Sequence, residues 1–324
     1  MRVAVVFPGQ GTQQPGMGVP WQDDPAWKIV EQAEAALGEP LAPLLLDAPA
    51  EQLARTRDAQ LAVLCTSLVA WEAARPCLHN VVAFAGHSLG QVTALIAAGV
   101  IDLDDGVRFA ARRAELTQAA ADAHPGRMAA LLGASPDQAE IACAAAPDAC
   151  WVANDNAPGQ VVVAGTADGV DVAIARAKEL GVRRAMPLNV GGAFHTPLMS
   201  DARDALADVL ARVSFHAPSA PVVSNHDGVA YDDADGWQAR LAEHVIVPVR
   251  WRVSMETLVG CGADAFVEIG YGSMIAGVAK RTVPETSVLP CGSPAECAVI
   301  MEETTARRPE GSGARIRPEK EAMS

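Results

Sequence analysis

The chain has 324 residues, enough for a large core in one or two domains. Half of its residues are hydrophobic, 20% are charged and 4% aromatic, and 39 acidic against 25 basic side chains set a formal charge of −14. That balance excludes a general binder of nucleic acid or anionic membrane but leaves room for an acidic partner at a local basic patch, and no apolar run reaches membrane-spanning length.

Val3 to Phe7 is a short apolar run stopped at once by Pro8-Gly9, which predicts a buried strand rather than a signal-peptide core. The seven cysteines (65, 77, 143, 150, 261, 291 and 297) include no C-x-x-C pair, so free thiols and a reducing, cytoplasmic setting are expected. Residues 24–75 carry mostly helical periodicity broken by Pro and Asp. Val81 to Ala85 predicts a second buried strand, Gln91 to Gly99 a helix, and Asp102 to Ala123 a further helix with Asp104 and Asp105 in its first turn.

The character changes near His124-Pro125-Gly126. Met128 to Gly133 predicts a strand and Ser135 to Ala145 a helix capped by Ser135. Trp151 to Asn154 and Gln160 to Ala164 predict two strands around the turn Asn156-Ala157-Pro158-Gly159, followed by a helix at Asp171 to Leu180 and a strand at Val182 to Leu188. Strand-helix-strand-strand-helix-strand is a ferredoxin-like order, so residues 125–189 are expected to form an inserted subdomain. Ser200 to Val213 predicts a helix, and Pro221 to Ser224 and Ala265 to Ile269 predict strands of a larger α/β core spanning 1–124 and 190–303. Apolar periodicity fades after about residue 304, and 304–324 are expected to be a flexible tail.

Chemistry concentrates at Gly86-His87-Ser88-Leu89-Gly90. A G-x-S-x-G between a strand and a helix is the layout of a nucleophile elbow, with the serine at a helix N-terminus whose N–H groups favour a developing oxyanion. Serine needs a base, and seven histidines are available: 79, 87, 124, 195, 216, 226 and 244. His87 adjoins the serine and suits orientation better than proton abstraction. A lone loop histidine is ordinarily a surface group, but His195 sits among small and apolar residues in Gly191-Gly192-Ala193-Phe194-His195-Thr196-Pro197, which favours a positioned one.

Six segments then occur in the order and spacing of one family: Phe7-Pro8-Gly9-Gln10-Gly11-Thr12-Gln13, the serine elbow, Arg113-Ala114-Glu115-Leu116-Thr117-Gln118, Asn156-Ala157-Pro158-Gly159-Gln160, Gly192-Ala193-Phe194-His195 and Pro248-Val249-Arg250-Trp251. Over about residues 1–300 the chain resembles the malonyl-CoA:acyl-carrier-protein transacylases and the acyltransferase domains of polyketide synthases. The resemblance implies an α/β-hydrolase-like core with an inserted ferredoxin-like subdomain. It implies Ser88 as the acylated nucleophile, His195 as its base, and the backbone N–H groups of Gln10 and Leu89 as an oxyanion hole. Arg113 matches the arginine that binds the free malonyl carboxylate; its neighbour Arg112 is one residue out of register. His87 and Asn156 match polar pocket positions, and the Arg250 carbonyl is the candidate to orient His195, since no acidic third member is evident.

Departures from the family pattern are Gln91 where an acidic residue is usual, Ala114 for glycine, Thr117 for methionine, and Tyr271 within Glu268-Ile269-Gly270-Tyr271-Gly272. Leu89 and Phe194 resemble malonyl-selective members; methylmalonyl-selective ones tend to carry Gln and Ser there. The implied reaction takes malonyl-CoA as substrate, with no bound cofactor and no metal, and delivers the acyl group to the phosphopantetheine thiol of an acyl carrier protein. Arg183, Arg184, Lys280 and Arg281 are candidates for carrier docking, and a monomer is the default expectation. Other readings are a transacylase for an unusual acyl group such as an aminoacyl or peptidyl unit, a serine hydrolase with the same dyad, and a non-catalytic carrier-binding module. The first leaves Arg113 unpaired, and an intact Ser88, His195 and Arg113 disfavour the last.

Overall fold

The computed structural model describes residues 1–306, with side chains to 303. The chain runs from β1 (Val3–Phe7) through α1 (Lys28–Leu37), α2 (Ala42–Leu46), α3 (Ala50–Leu53) and α4 (Thr56–Ala74) to β2 (Val81–Gly86), α5 (Leu89–Ala97) and α6 (Leu103–Ala123). A second group follows: β3 (Arg127–Leu132), α7 (Pro136–Cys143), β4 (Cys150–Ala157), β5 (Gln160–Gly165), α8 (Ala167–Glu179) and β6 (Arg184–Pro187). The chain then passes through α9 (Ser200–Leu210), β7 (Val222–Val223), β8 (Ala230–Tyr231), α10 (Trp237–Glu243), α11 (Trp251–Gly260), β9 (Ala265–Ile269), α12 (Met274–Thr282), β10 (Ser287–Cys291) and α13 (Pro294–Ala306).

Two sheets result. The larger has the order β10-β9-β1-β2-β7-β8, with parallel pairing everywhere except β7–β8. β1 and β9 are buried at every residue; β1 reads as an unbroken apolar run, since a parallel strand covered on both faces has no polar side to show, while β9 carries the buried Glu268, whose carboxylate accepts the Ile275 and Ala276 N–H groups. The smaller sheet is antiparallel, with the order β4-β5-β3-β6, and α7 and α8 pack on it through Ala139, Ala142, Val170, Ala173 and Ala177. The fold is therefore a large α/β core carrying a small ferredoxin-like subdomain. Ser135 starts α7 with a capping box: its hydroxyl accepts the Gln138 N–H and the Gln138 side chain accepts the Ser135 N–H.

Three expectations need correction. The last strand of the small sheet covers only Arg184–Pro187, mostly exposed at the sheet edge, not Val182 to Leu188. The strand at Pro221 to Ser224 shrinks to Val222–Val223, because Ser224 turns the chain back into β8. The flexible tail was expected from 304, yet residues 304–306 continue α13; the remainder, 307–324, lies outside the described residues.

The segments that carry the elbow meet at van der Waals limits. A Cβ at Gly86 would lie 1.8 Å from the Gly90 carbonyl oxygen, one at Gly90 would lie 2.4 Å from Phe7 O, and one at Gly9 would lie 2.4 Å from His87 O. Glycine is thus required by close approach of β1, β2 and α5, and the loop after β1 is held over the start of α5. Gly86→Ala should lower the unfolding free energy by about 3 kcal/mol or more through overpacking. Gly260→Ala, where a Cβ meets nothing within 4 Å, should be neutral or stabilising by up to about 1 kcal/mol. Urea unfolding of the two variants checks the pair; equal stabilities would contradict the packing account.

Candidate active site

Ser88 adopts φ 53 and ψ −106, a region that costs a non-glycine residue about 1–3 kcal/mol. It lies between the end of β2 and the first residue of α5, and α5 starts at Leu89, two residues before the helix start expected at Gln91. The strain places Oγ 2.8 Å from His195 Nε2. His195 is itself left-handed, at φ 61, and only 4% exposed.

The other ring nitrogen defines the tautomer. His195 Nδ1 lies 2.8 Å from the carbonyl oxygen of His244. A carbonyl only accepts, so Nδ1 carries the proton and Nε2 is left to accept from the Ser88 hydroxyl. The expected orienting group, the Arg250 carbonyl, is therefore corrected to that of His244. Arg250 is the N-cap of α11, and its carbonyl accepts from Ser254 N and Ser254 Oγ, both at 2.9 Å, so it points into its own helix. His244 is the C-cap of α10, where the final carbonyls have no helical donor and are open to a side chain.

Arg113 is 5% exposed, on the inner face of α6. One Nη donates to Gln60 Oε1 at 2.8 Å and the other to Ser88 Oγ at 3.3 Å. Among the described residues no carboxylate pairs with it, and burial pulls its pKa down to about 10. Arg112, one residue earlier, is exposed and paired with Glu115 at 3.0 Å. The helical turn thus separates the rivals: one faces Ser88, the other faces solvent.

His87 and Asn156 meet each other, with His87 Nε2 2.8 Å from Asn156 Oδ1, and the His87 ring stands edge-on to Trp251 at 5.4 Å. Leu89 is buried, and Phe194 is half-buried between both sheets' cores. Gln10 Oε1 accepts from Gln60 Nε2 at 3.4 Å, so the loop after β1 joins Arg113 through Gln60. A cavity of about 480 Å³ lined by α7, β4 and the segment before α11 ends at His195.

Burial pushes His195 down to about 3, reinforced first by the Arg113 cation and then by His87; hydrogen bonds to the His244 and Val247 backbone oppose the shift. His87 and His244 are also lowered, chiefly by burial. The site is a serine–histidine pair with a neutral base and a nearby cation lacking an anion. That combination suits acyl transfer from an ester or thioester bearing a negative charge. Four contributors were not singled out from the sequence: Gln60, His244, Asn225 and the side chain of Gln91. Asn225 Oδ1 accepts the Ser88 N–H at 2.8 Å, and Gln91 Oε1 accepts the Asn225 N–H at 2.9 Å.

Residues 4–303 match the acyl transferase domain. The chain belongs to the acyl transferase domain family. It is 37% identical over 306 residues to the malonyl CoA-acyl carrier protein transacylase of Escherichia coli strain K12, covering 92% of this chain and 98% of the relative. The Bacillus subtilis strain 168 protein of the same name is 36% identical over 285 residues, 86% of this chain and 90% of the relative. Among solved structures, an acyl carrier protein S-malonyltransferase from Vibrio cholerae superposes with a TM-score of 0.89 at 35% identity, covering 93% of this chain and 100% of the other. The transacylase in the holo PlMCAT:AntF complex, a malonyl-transacylase bound to its type II PKS acyl-carrier protein, also gives 0.89, at 33% identity over 94% of this chain and 100% of the other.

The depressed His195 has a consequence for stability. Its folded value of about 3 lies below the unfolded value near 6.5, so as pH falls the unfolded chain takes up a proton that the folded chain refuses. The stability present above 6.5 is lost as pH drops toward 3, at about 1.4 kcal/mol per pH unit for this group. Urea unfolding at pH 7 and pH 5 should show His195→Asn losing less stability than the parent over that interval. An equal loss would show that His195 protonates without resistance in the folded protein.

Proposed function

We propose that this enzyme moves a malonyl group from malonyl-CoA, through an ester on Ser88, to the phosphopantetheine thiol of an acyl carrier protein, in fatty acid or polyketide synthesis. The observation that carries the reading is the unpaired Arg113 guanidinium 3.3 Å from the nucleophile. Desolvating a cation without an anion costs several kcal/mol. A free carboxylate on the acyl group offsets that cost by a planar two-pronged pair. An acetyl group, or an aminoacyl or peptidyl unit, cannot.

In the proposed first half-reaction His195 Nε2 takes the Ser88 proton as Oγ attacks the thioester carbonyl, and CoA leaves as the thiol. The C-terminal end of α10, at His244, favours the imidazolium that forms. Arg113 is the second-largest cause lowering His195, so a carboxylate that neutralises it makes the base stronger when the correct acyl group is bound. Leu89 and Gln10 are the proposed oxyanion donors. The Ser88, Gly90 and Gln91 N–H groups are taken by Asn225, His87 O and Ser88 O, leaving Leu89 at the start of α5, and Gly9 packs the loop that carries Gln10 over the elbow. In the second half-reaction the carrier thiol attacks the same ester, so ping-pong kinetics are expected.

Phe194 and Leu89 support malonyl over methylmalonyl, a discrimination of about 1–3 kcal/mol for one methyl group. His87 and Asn156, joined to each other, are proposed to line the acyl pocket. For the acidic carrier, Arg183, Arg184 and Arg281 converge on one end of the small sheet: Arg183 packs on Gly133, Arg184 pairs with Leu132, and Arg281 donates to Gln160. Lys280 adjoins them on α12. The proposed enzyme is a cytoplasmic monomer, since one chain supplies nucleophile, base and carboxylate site, and its described cysteines are all free thiols.

Ser88→Ala should form no covalent malonyl adduct by mass spectrometry of tryptic peptides; an adduct persisting in that variant would remove Ser88 from the role. Arg113→Ala should lower kcat/KM for malonyl-CoA by about a hundredfold or more, roughly 3 kcal/mol, while leaving acetyl-CoA no worse. An unchanged malonyl-to-acetyl ratio would place the carboxylate elsewhere.

A further inference from the structure

Asn225 occupies an unusual position: 1% exposed, two residues after the short strand β7, and bonded on three sides. Its side-chain oxygen accepts the Ser88 N–H at 2.8 Å. Its own N–H donates to Gln91 Oε1 at 2.9 Å, and its carbonyl accepts the Arg250 N–H at 3.0 Å. Asn225 thereby touches Ser88 directly and reaches His195 only through the backbone segment that runs from His244 to Arg250. One contact grips the strained residue that carries the nucleophile. Another anchors the end of the 244–250 segment, whose first residue supplies the carbonyl that aims His195.

We propose that Asn225 is a positioning residue for the nucleophile, holding Ser88 in its left-handed turn so that Oγ faces His195 Nε2, with Gln91 fixing the Asn225 backbone from inside α5. The role follows from the strain. A residue at φ 53 persists only if its surroundings over-determine it. The glycine contacts exclude alternatives by bulk, and the Asn225 carboxamide supplies the directional bond. It also removes the Ser88 N–H from the set of oxyanion donors, so the serine's own amide serves geometry alone. The Asn225 Nδ2 and Gln91 Nε2 groups are buried without a partner. Burying two unsatisfied donors is costly, and the pair is retained for what the opposite ends of the two amides do.

The proposal rests on Ser88 being the nucleophile but not on the malonyl substrate, so its test uses a probe with no carboxylate. A small sulfonyl fluoride reacts as Oγ attacks sulfur: the O–S bond forms, the S–F bond breaks, fluoride leaves, and the serine proton passes to His195. The rate of Ser88 sulfonylation is read by intact mass alongside single-turnover acylation by malonyl-CoA. Asn225→Ala should slow both by about a hundredfold, the size of a misplacement of roughly 1 Å. The apparent affinity for malonyl-CoA should stay within about twofold, because Arg113 is untouched. Asn225→Asp, which keeps the acceptor, should return both rates to within about tenfold of the parent.

Equal losses in the Ala and Asp variants, or a parental sulfonylation rate in Asn225→Ala, would overturn the proposal. Slowed sulfonylation beside a parent that takes no malonyl group would uphold the positioning role and overturn the substrate instead. Should Asn225→Ala fail to fold, Gln91→Met removes the support for the Asn225 backbone at similar volume. It should slow sulfonylation by about tenfold, and a parental rate there would equally overturn the role.

Discussion

A buried guanidinium with no anion of its own is the constraint around which this site is organised. Arg113 sits 5% exposed beside Ser88, held by one neutral carboxamide and the nucleophile's hydroxyl. In a stable resting protein such a charge is ordinarily paired or moved to solvent. Its retention makes sense if the missing partner arrives with the substrate. Burial first, and the Arg113 cation second, keep His195 neutral and weakly basic, and on the proposed reading the second restraint lasts until that partner comes. Selectivity and activation then have one origin, because the carboxylate that fills the site relieves the charge that restrains the base.

The fold supplies what this arrangement needs. A parallel sheet brings the loop after β1 and the elbow after β2 side by side, and glycine at 9, 86 and 90 lets them touch. The small antiparallel sheet reaches across: Asp155 N–H bonds Val249 O and Val249 N–H bonds Ala153 O, at 2.9 Å each. That pairing joins the strand bearing Asn156 to the segment that holds His195. The proposed nucleophile, base and pocket wall therefore come from distant parts of the chain yet share one backbone framework.

What was legible in the sequence was local. The elbow announces itself because its geometry demands glycines at fixed offsets around Ser88, and Arg113 was separable from Arg112 because Leu116 and Gln118 set the register of the family motif that the segment resembles. The order of elements in the small sheet followed from alternating periodicity and one capped helix. What escaped notice was carried by main-chain atoms or by long separations. The His244 carbonyl orients His195 from 49 residues away, and any residue type has a carbonyl to offer. Asn225 reaches Ser88 across 137 residues and Gln60 reaches Arg113 across 53, with no pattern linking them. The order of the large sheet, with β9 beside β1 and β7 beside β2, is likewise a matter of tertiary pairing.

The most direct test of the account is intact-protein mass spectrometry of the parent enzyme after brief exposure to malonyl-, methylmalonyl- and acetyl-CoA in turn, followed by a phosphopantetheinylated carrier protein. The account predicts a single malonyl adduct, clearly exceeding the methylmalonyl adduct and far exceeding acetyl, that passes to the carrier thiol. Equal occupancy by malonyl and acetyl groups would contradict it, because the buried charge at Arg113 would then have no part in choosing the acyl group.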